Sequence, residues 1–261
     1  MTEARQEAGR RDGAERTRRP GTPCGVSLKA RGTTATREFY QGLFGWEFRP
    51  DRAGGTRVRA FADGEAVADI STLTGHHRSS PAWTLYLATD AADLTADLVR
   101  HCGGTVAVGP LAADGGRRAL VADPGGAVFG LCQGAARPGF AGTGAPGTPV
   151  WSELVTHQAR HVTPFYQCVF GLAATHAAAG RWTVSRDGVP VAGLVEADPD
   201  RLTGRGAHWL AHFAVADLDA AVRRAHALGG RSLTPPSGGD GPRSAVLSDP
   251  GGAVFAVRED G

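Results

Sequence analysis

Lysine is almost missing from this chain: Lys29 is the only one among 28 basic residues, in a sequence with a single methionine and three tyrosines. Surplus charge is scarce too. The formal net charge is +2, and residues 1–19 supply that surplus by themselves, so the remainder is near neutral. Without a positive stripe to neutralise phosphates, nucleic acid is not an expected partner. No apolar run approaches the roughly 20 residues that cross a bilayer, so no membrane partner is expected either. Residues 1–19 hold no apolar h-region and do not read as a secretory signal; they read as a disordered tail, and the location read for the chain is cytoplasmic. No GxGxxG fingerprint, Walker sequence or GxSxG elbow occurs in the right context, which leaves no sign of a nucleotide-binding or acyl-enzyme mechanism.

What is present is a repeat held in register at an offset of 126 residues. Phe39-Tyr40 returns as Phe165-Tyr166, Phe44-Gly45 as Phe170-Gly171, and Trp83 as Trp209. Gly103-Gly104 returns as Gly229-Gly230, and Asp123-Pro124-Gly125-Gly126-Ala127-Val128-Phe129 as residues 249–255. An offset that never slips marks the repeating unit as a whole folded domain. The expected organisation is a tail over 1–19, a first domain over 20–133, a Gly/Ala/Pro linker over 134–147 and a second domain over 148–259. None of the four cysteines (Cys24, Cys102, Cys132 and Cys168) sits at the repeat-equivalent position of another, and no C-x-x-C pair occurs. The expectation is buried free thiols in a reducing compartment.

Within each copy a shorter pattern recurs. In the first copy, strands are expected at 24–29, 46–49, 57–61 and 66–71, with a helix at 34–44 set by the spacing of Phe39, Leu43 and Phe44. The second half repeats the order: a strand at 83–89, a helix at 91–101 stopped by Gly103-Gly104, and strands at 105–108, 118–121 and 127–133. Each half is strand-helix-strand-strand-strand, and Asp-Pro-Gly-Gly suits the tight turn before the last strand.

This nested duplication, with FY-x3-FG on a first helix and DPGG before a last strand, resembles the vicinal oxygen chelate superfamily of glyoxalases, bleomycin-resistance proteins and extradiol dioxygenases. The resemblance covers about residues 20–259. It implies an α+β fold of two tandem glyoxalase-like domains, each a pair of βαβββ modules whose curled sheet forms a ligand cup. It also implies a divalent metal held from the first strand, the first strand of the second half and the last strand. Carried over by distance to the motifs, those positions are Gly25, Thr84 and Gly130 in one copy and Trp151, Leu210 and Ala256 in the other. Neither set supplies imidazole or carboxylate, which divalent ions need. The expectation is therefore a cup without metal or other cofactor. A displaced site from His208, His212 and Glu153, which strand alternation brings towards the second cup, is the rival reading.

Candidate site residues follow from alternation along the strands. Glu153 is either an acid or base whose pKa the cup would raise, or a hydrogen-bonded carboxylate. Lys29 is either a desolvated base or Schiff-base nucleophile, or a cation snorkelling at the rim. His212 is either catalytic or a core-edge imidazole. Trp151, Trp182, Trp83, Trp209 and Ser27 are candidate ligand contacts, since an aromatic cup suits a flat apolar ligand; Trp83 and Trp209, shared by both copies, serve equally well as scaffold. The function expected is binding of an aromatic or polyketide-like natural product by a monomer or homodimer. A metal-independent isomerase, cyclase, hydratase or oxygenase-like enzyme is the alternative, with a displaced-metal lyase or dioxygenase third.

Overall fold

The computed structural model describes residues 19–50, 57–73, 80–113, 115–134, 140, 144–202, 204–236 and 242–259. The expected tail up to residue 18 and most of the expected linker lie outside the described residues.

The first copy runs β1 (Pro23–Ala30), α1 (Thr33–Phe44), β2 (Glu47–Pro50), β3 (Val58–Ala62), β4 (Glu65–Thr72), β5 (Ala82–Ala88), α2 (Ala92–His101), β6 (Thr105–Ala113), β7 (Gly116–Ala122) and β8 (Val128–Gln133). The second runs β9 (Pro149–Thr156), α3 (Ala159–Phe170), β10 (Ala173–Ala178), β11 (Arg181–Arg186), β12 (Val189–Glu196), a 3-10 turn at Pro199–Leu202, β13 (His208–Val215), α4 (Leu218–Ala227), β14 (Arg231–Ser232), β15 (Ser244–Ser248) and β16 (Val254–Glu259). The strands form two open eight-stranded sheets, ordered β2-β3-β4-β1-β5-β8-β7-β6 and β10-β11-β12-β9-β13-β16-β15-β14. This is the α+β duplication of βαβββ modules that the motifs imply. Parallel pairs (β1 with β4, β12 with β9, β5 with β8, β13 with β16) sit among antiparallel ones. No described helix is long and apolar enough to cross a membrane.

Several strands run longer than expected, β6 most of all. β6 continues through Gly109-Pro110 to Ala113, with register shifts on both sides of Val108. Proline lacks the ladder donor, and β6 is an edge strand, where bulges absorb that loss.

The chain divides into two compact units, and each takes one module from either copy. The first unit is the chain up to Cys24, Leu85–Arg137 and Trp151–Leu210; the second is Gly25–Thr84, Pro138–Val150 and Ala211–Gly261. The repeated motifs explain this division, because the tyrosine of each FY meets the aspartate of the other copy's DPGG. In the second unit, Tyr40 Oη donates to Asp249 Oδ2 at 3.2 Å and accepts from Trp83 Nε1 at 3.0 Å. In the first, Tyr166 Oη donates to Asp123 Oδ2 at 2.9 Å and accepts from Trp209 Nε1 at 3.0 Å. The other oxygen of each aspartate caps its own DPGG turn, accepting from Ala253 N at 2.8 Å and Ala127 N at 2.9 Å. The second glycine of each pair is closely packed: a Cβ at Gly230 would lie 2.9 Å from both the Phe39 ring and the Ser248 carbonyl, and one at Gly104 2.6 Å from the Ala122 carbonyl and 2.8 Å from the Phe165 ring. Gly45 and Gly171 of the FG motifs end α1 and α3 in the left-handed region, at φ 72° and 67°.

The cysteines require a correction. Cys102, capping α2, and Cys168, on α3, are joined by a disulfide within the first unit. Only Cys24 and Cys132 remain as buried thiols. Comparing the copies residue for residue cannot reveal this pair, because the contact joins different positions of the repeat.

Candidate functional site

In the first unit, β9 shows one face to the helices and one to the open side of the sheet. Ser152, Leu154 and Thr156 are buried, while Trp151, Glu153 and Val155 alternate with them and stay partly accessible. Glu153 lies opposite Gly193 of β12, and Val155 opposite Val195. On β11, Thr183 faces Gly193 and Arg181 faces Val195, which puts Arg181 on the same side of the sheet as Glu153. Arg181 Nη1 donates to Glu153 Oε1 at 3.0 Å across the intervening strand, with the glutamate 15 % exposed and the arginine 56 %.

Gly193 is what makes this crossing possible. A Cβ there would lie 3.0 Å from Glu153 Cγ, 3.3 Å from Glu153 Oε1 and 3.3 Å from Trp151 Nε1. With no side chain at 193, an indole N–H, a carboxylate and a guanidinium converge over bare backbone on the accessible face. Sequence reading picked out Trp151 and Glu153 but missed Arg181 and Gly193; the signal was an alternation aligning β11 and β12 with β9, which needs the register.

Trp182 is placed elsewhere. It pairs with Leu194, which pairs with Leu154, so it belongs to the opposite face, where its ring meets that of His176 edge-on at 5.6 Å. Trp209 is 6 % exposed and hydrogen-bonded to Tyr166. His208, half-buried at the start of β13, contacts the Gly206 carbonyl through Nδ1 at 2.9 Å. Burial pushes its pKa below the usual histidine value, with Arg205 adding to the effect against the Gly206 bond.

In the second unit, Ser27 on β1 lies opposite Asp69 on β4, and Asp69 opposite Arg59 on β3. Arg59 Nε donates to Asp69 Oδ1 at 3.1 Å, with the aspartate side chain only 3 % exposed. Both copies thus carry a guanidinium–carboxylate pair on this part of the sheet, with the arginine on the equivalent strands β3 and β11 but the acid on β4 in one and on β9 in the other. Sequence reading missed Asp69, whose one signal is an acid between the apolar Ala68 and Ile70 of β4. Lys29 is exposed near the end of β1, opposite Ser71. Trp83 is buried against Tyr40, and Trp46 is fully buried and donates to the Gly147 carbonyl at 2.9 Å. His212 is buried on β13, opposite Ala256.

The residues at the implied metal positions do not fit a divalent ion. Of Gly25, Thr84, Gly130, Trp151, Leu210 and Ala256, only threonine offers a side-chain oxygen, and a neutral one. In the first unit the Tyr86 ring lies over Gly130, where a Cβ would come within 2.1 Å of the ring. Among the described residues no group of three or more His, Cys, Asp and Glu side chains is placed to hold a metal.

Two eight-stranded sheets built of βαβββ modules define the vicinal oxygen chelate fold class. Comparison with known proteins agrees. Residues 152–258 match the family model of the glyoxalase-like domain. CFP32 of Mycobacterium tuberculosis is 36 % identical over 92 % of this chain and 95 % of its own length. The anthracycline biosynthesis protein DnrV of Streptomyces peucetius is 36 % identical over 92 % and 94 %. By structure, the Mn(II)-bound glyoxalase of Novosphingobium aromaticivorans superposes with a TM-score of 0.64 at 15 % identity, covering 92 % of this chain and 82 % of that one. The 2,3-dioxygenase LapB of Pseudomonas sp. KL28 gives 0.63 at 15 %, covering 93 % of each. At such identities the structural likeness speaks for the fold alone. The chain belongs to the glyoxalase-like family of the vicinal oxygen chelate superfamily.

Proposed function

We propose that this protein binds an aromatic, polyketide-like natural product in secondary metabolism or resistance, without a metal. The observation that carries the reading is the corner where Trp151 Nε1 and the Glu153 carboxylate converge over Gly193, with Arg181 completing it. An indole supplies apolar surface for a flat ring and one N–H donor. The carboxylate accepts from a ligand hydroxyl, and the guanidinium donates to a carbonyl or phenolate oxygen. A planar polycyclic ligand with a hydroxyl beside a carbonyl matches that donor and acceptor order. Two similar proteins support this class of ligand: DnrV and DauV of Streptomyces sp. strain C5, the latter 37 % identical over 92 % of this chain, are both named for anthracycline biosynthesis. The protein would act in the cytoplasm as a monomer or homodimer.

The same corner supports a second reading, metal-independent acid–base catalysis on such a ligand. Glu153 is a carboxylate on the accessible face, fixed in place by Arg181, and that is the equipment for moving a proton at a bound hydroxyl or α-carbon. One experiment separates the readings: titration of tryptophan fluorescence with 1,8-dihydroxyanthraquinone, followed by chromatography of the recovered compound. The binder reading expects saturation, unchanged ligand, and a loss of about tenfold or more in affinity for Glu153→Gln and Trp151→Leu, about 1.4 kcal/mol per decade. Conversion that persists in chelator and disappears in Glu153→Gln establishes the enzyme instead. No saturation with the wild-type chain, or variants that bind as tightly, overturns both.

A further inference from the structure

The disulfide has a counterpart in the other unit that contains no sulfur. Shifted by the repeat offset, Cys168 corresponds to Gly42 and Cys102 to Leu228. In the second unit those two residues touch: a Cβ at Gly42 would lie 2.8 Å from both methyl carbons of Leu228. The same helix–helix contact is therefore closed by a leucine over a glycine in one unit and by Cys102–Cys168 in the other. Both sides of the contact differ together. A leucine with a glycine fills much the same volume as two thiols, so the reduced pair still packs there.

Accessibility sets this pair apart from the other two cysteines. Cys168 is exposed on α3 and Cys102 is half-buried, whereas Cys24 and Cys132 are each 6 % exposed. A small thiol in solvent reaches the bond and not the buried thiols. The bond ties residues 66 apart in sequence, one in each copy, so its state changes the conformational freedom of a long stretch of unfolded chain.

We propose that Cys102 and Cys168 form a site of reversible thiol oxidation, whose reactants are low-molecular-weight thiols and disulfides. Its state sets the stability of the first unit. In the oxidising direction the exposed Cys168 thiolate attacks a small disulfide, releasing one thiol and forming a mixed disulfide. Cys102 then displaces the second thiol as the protein S–S bond forms. Two electrons and two protons pass from the cysteine pair to the small disulfide, which leaves as two thiols. Reduction is the reverse.

The test uses the full chain in glutathione buffers of fixed oxidised-to-reduced ratio, with acid quench, denaturation, alkylation by a polyethylene-glycol maleimide and peptide mapping. Oxidising buffer is expected to leave two reactive thiols per chain, mapped to Cys24 and Cys132. Reducing buffer is expected to give four, interchanging without denaturant. The calorimetric transition should fall by roughly 5–10 °C on reduction. The Cys24→Ser, Cys132→Ser double variant should keep that shift. The Cys102→Leu, Cys168→Gly double variant, which copies the second unit's contact, should lose it. Four thiols in every buffer, two thiols that no reductant changes in the folded chain, or a transition indifferent to redox state would each overturn the proposal.

Discussion

Replacing Tyr40 by phenylalanine removes one oxygen atom and tests why the motifs recur. Tyr40 is fully buried, and its hydroxyl both accepts from Trp83 Nε1 at 3.0 Å and donates to Asp249 Oδ2 at 3.2 Å. The ring stays, so no large cavity forms. The indole N–H and one carboxylate oxygen lose their partner, both in a buried cluster that admits water poorly. A bond to a charged acceptor contributes about 1.5–3 kcal/mol and a neutral one about 1 kcal/mol, so Tyr40→Phe should cost about 2–4 kcal/mol. Against a typical total of about 5–15 kcal/mol this is a large fraction. Urea unfolding of the variant, of Asp249→Asn and of the double variant measures the cost and the coupling, which should exceed about 1 kcal/mol.

The pH dependence adds a sign. Burial above all, with the Asp249 charge next, holds the Tyr40 phenol well above its ordinary value. Its contribution is present below the unfolded value of about 10 and is lost as pH rises towards the folded one. The wild-type chain should weaken above about pH 10, and Tyr40→Phe should weaken less steeply. Burial also raises Asp249, against the hydrogen bonds from Ala253 and Tyr40. Its protonated form is favoured by folding, so its contribution is present below about 3.9 and lost as pH rises through the folded value. Asp249→Asn should remove that part of the acid dependence. A Tyr40→Phe cost under about 0.5 kcal/mol, or no coupling to Asp249, refutes the reasoning.

Three further outcomes follow from the geometry. Gly193→Val should displace Glu153 from Arg181, since even a Cβ there comes within 3.0 Å of Glu153 Cγ; affinity for the hydroxyanthraquinone should fall about tenfold or more while urea unfolding changes little. Gly130→Ala should cost about 1–3 kcal/mol, because its Cβ would lie 2.1 Å from the Tyr86 ring. Adding Tyr86→His rebuilds the His212–Ala256 pair of the other copy and should recover most of the loss in the same unfolding assay. The Gly42→Cys, Leu228→Cys double variant should form a second disulfide, read by mass spectrometry as two hydrogens lost at those peptides; free thiols under oxidising conditions would deny the equivalence of the two helix contacts.

Much of the architecture was legible because it depends on local pattern. Glycine stops, apolar spacing and DPGG turns mark their elements wherever they fold, so the modules and their order could be read directly. Which module packs with which could not, because Tyr40 to Asp249 is a contact between copies that no local pattern announces. The tryptophans show the same limit. Trp151 and Trp182 both alternate on strands, yet only register against β12 puts one beside Glu153 and the other on the far face. Arg181 and Gly193 escaped notice because one acts across a neighbouring strand and the other by lacking a side chain. The cysteine pair was hidden because its two halves occupy different positions of the repeat.

The central claim is that ligand binds where Trp151 and Glu153 meet. Fluorine NMR of the chain carrying 5-fluorotryptophan tests it directly, since five tryptophans give five resonances and Trp151→Phe identifies one. On titration with 1,8-dihydroxyanthraquinone the Trp151 resonance should shift saturably and most, while those of buried Trp46, Trp83 and Trp209 stay nearly fixed. A saturable shift at other tryptophans with Trp151 unmoved, or no shift at all, would contradict the account.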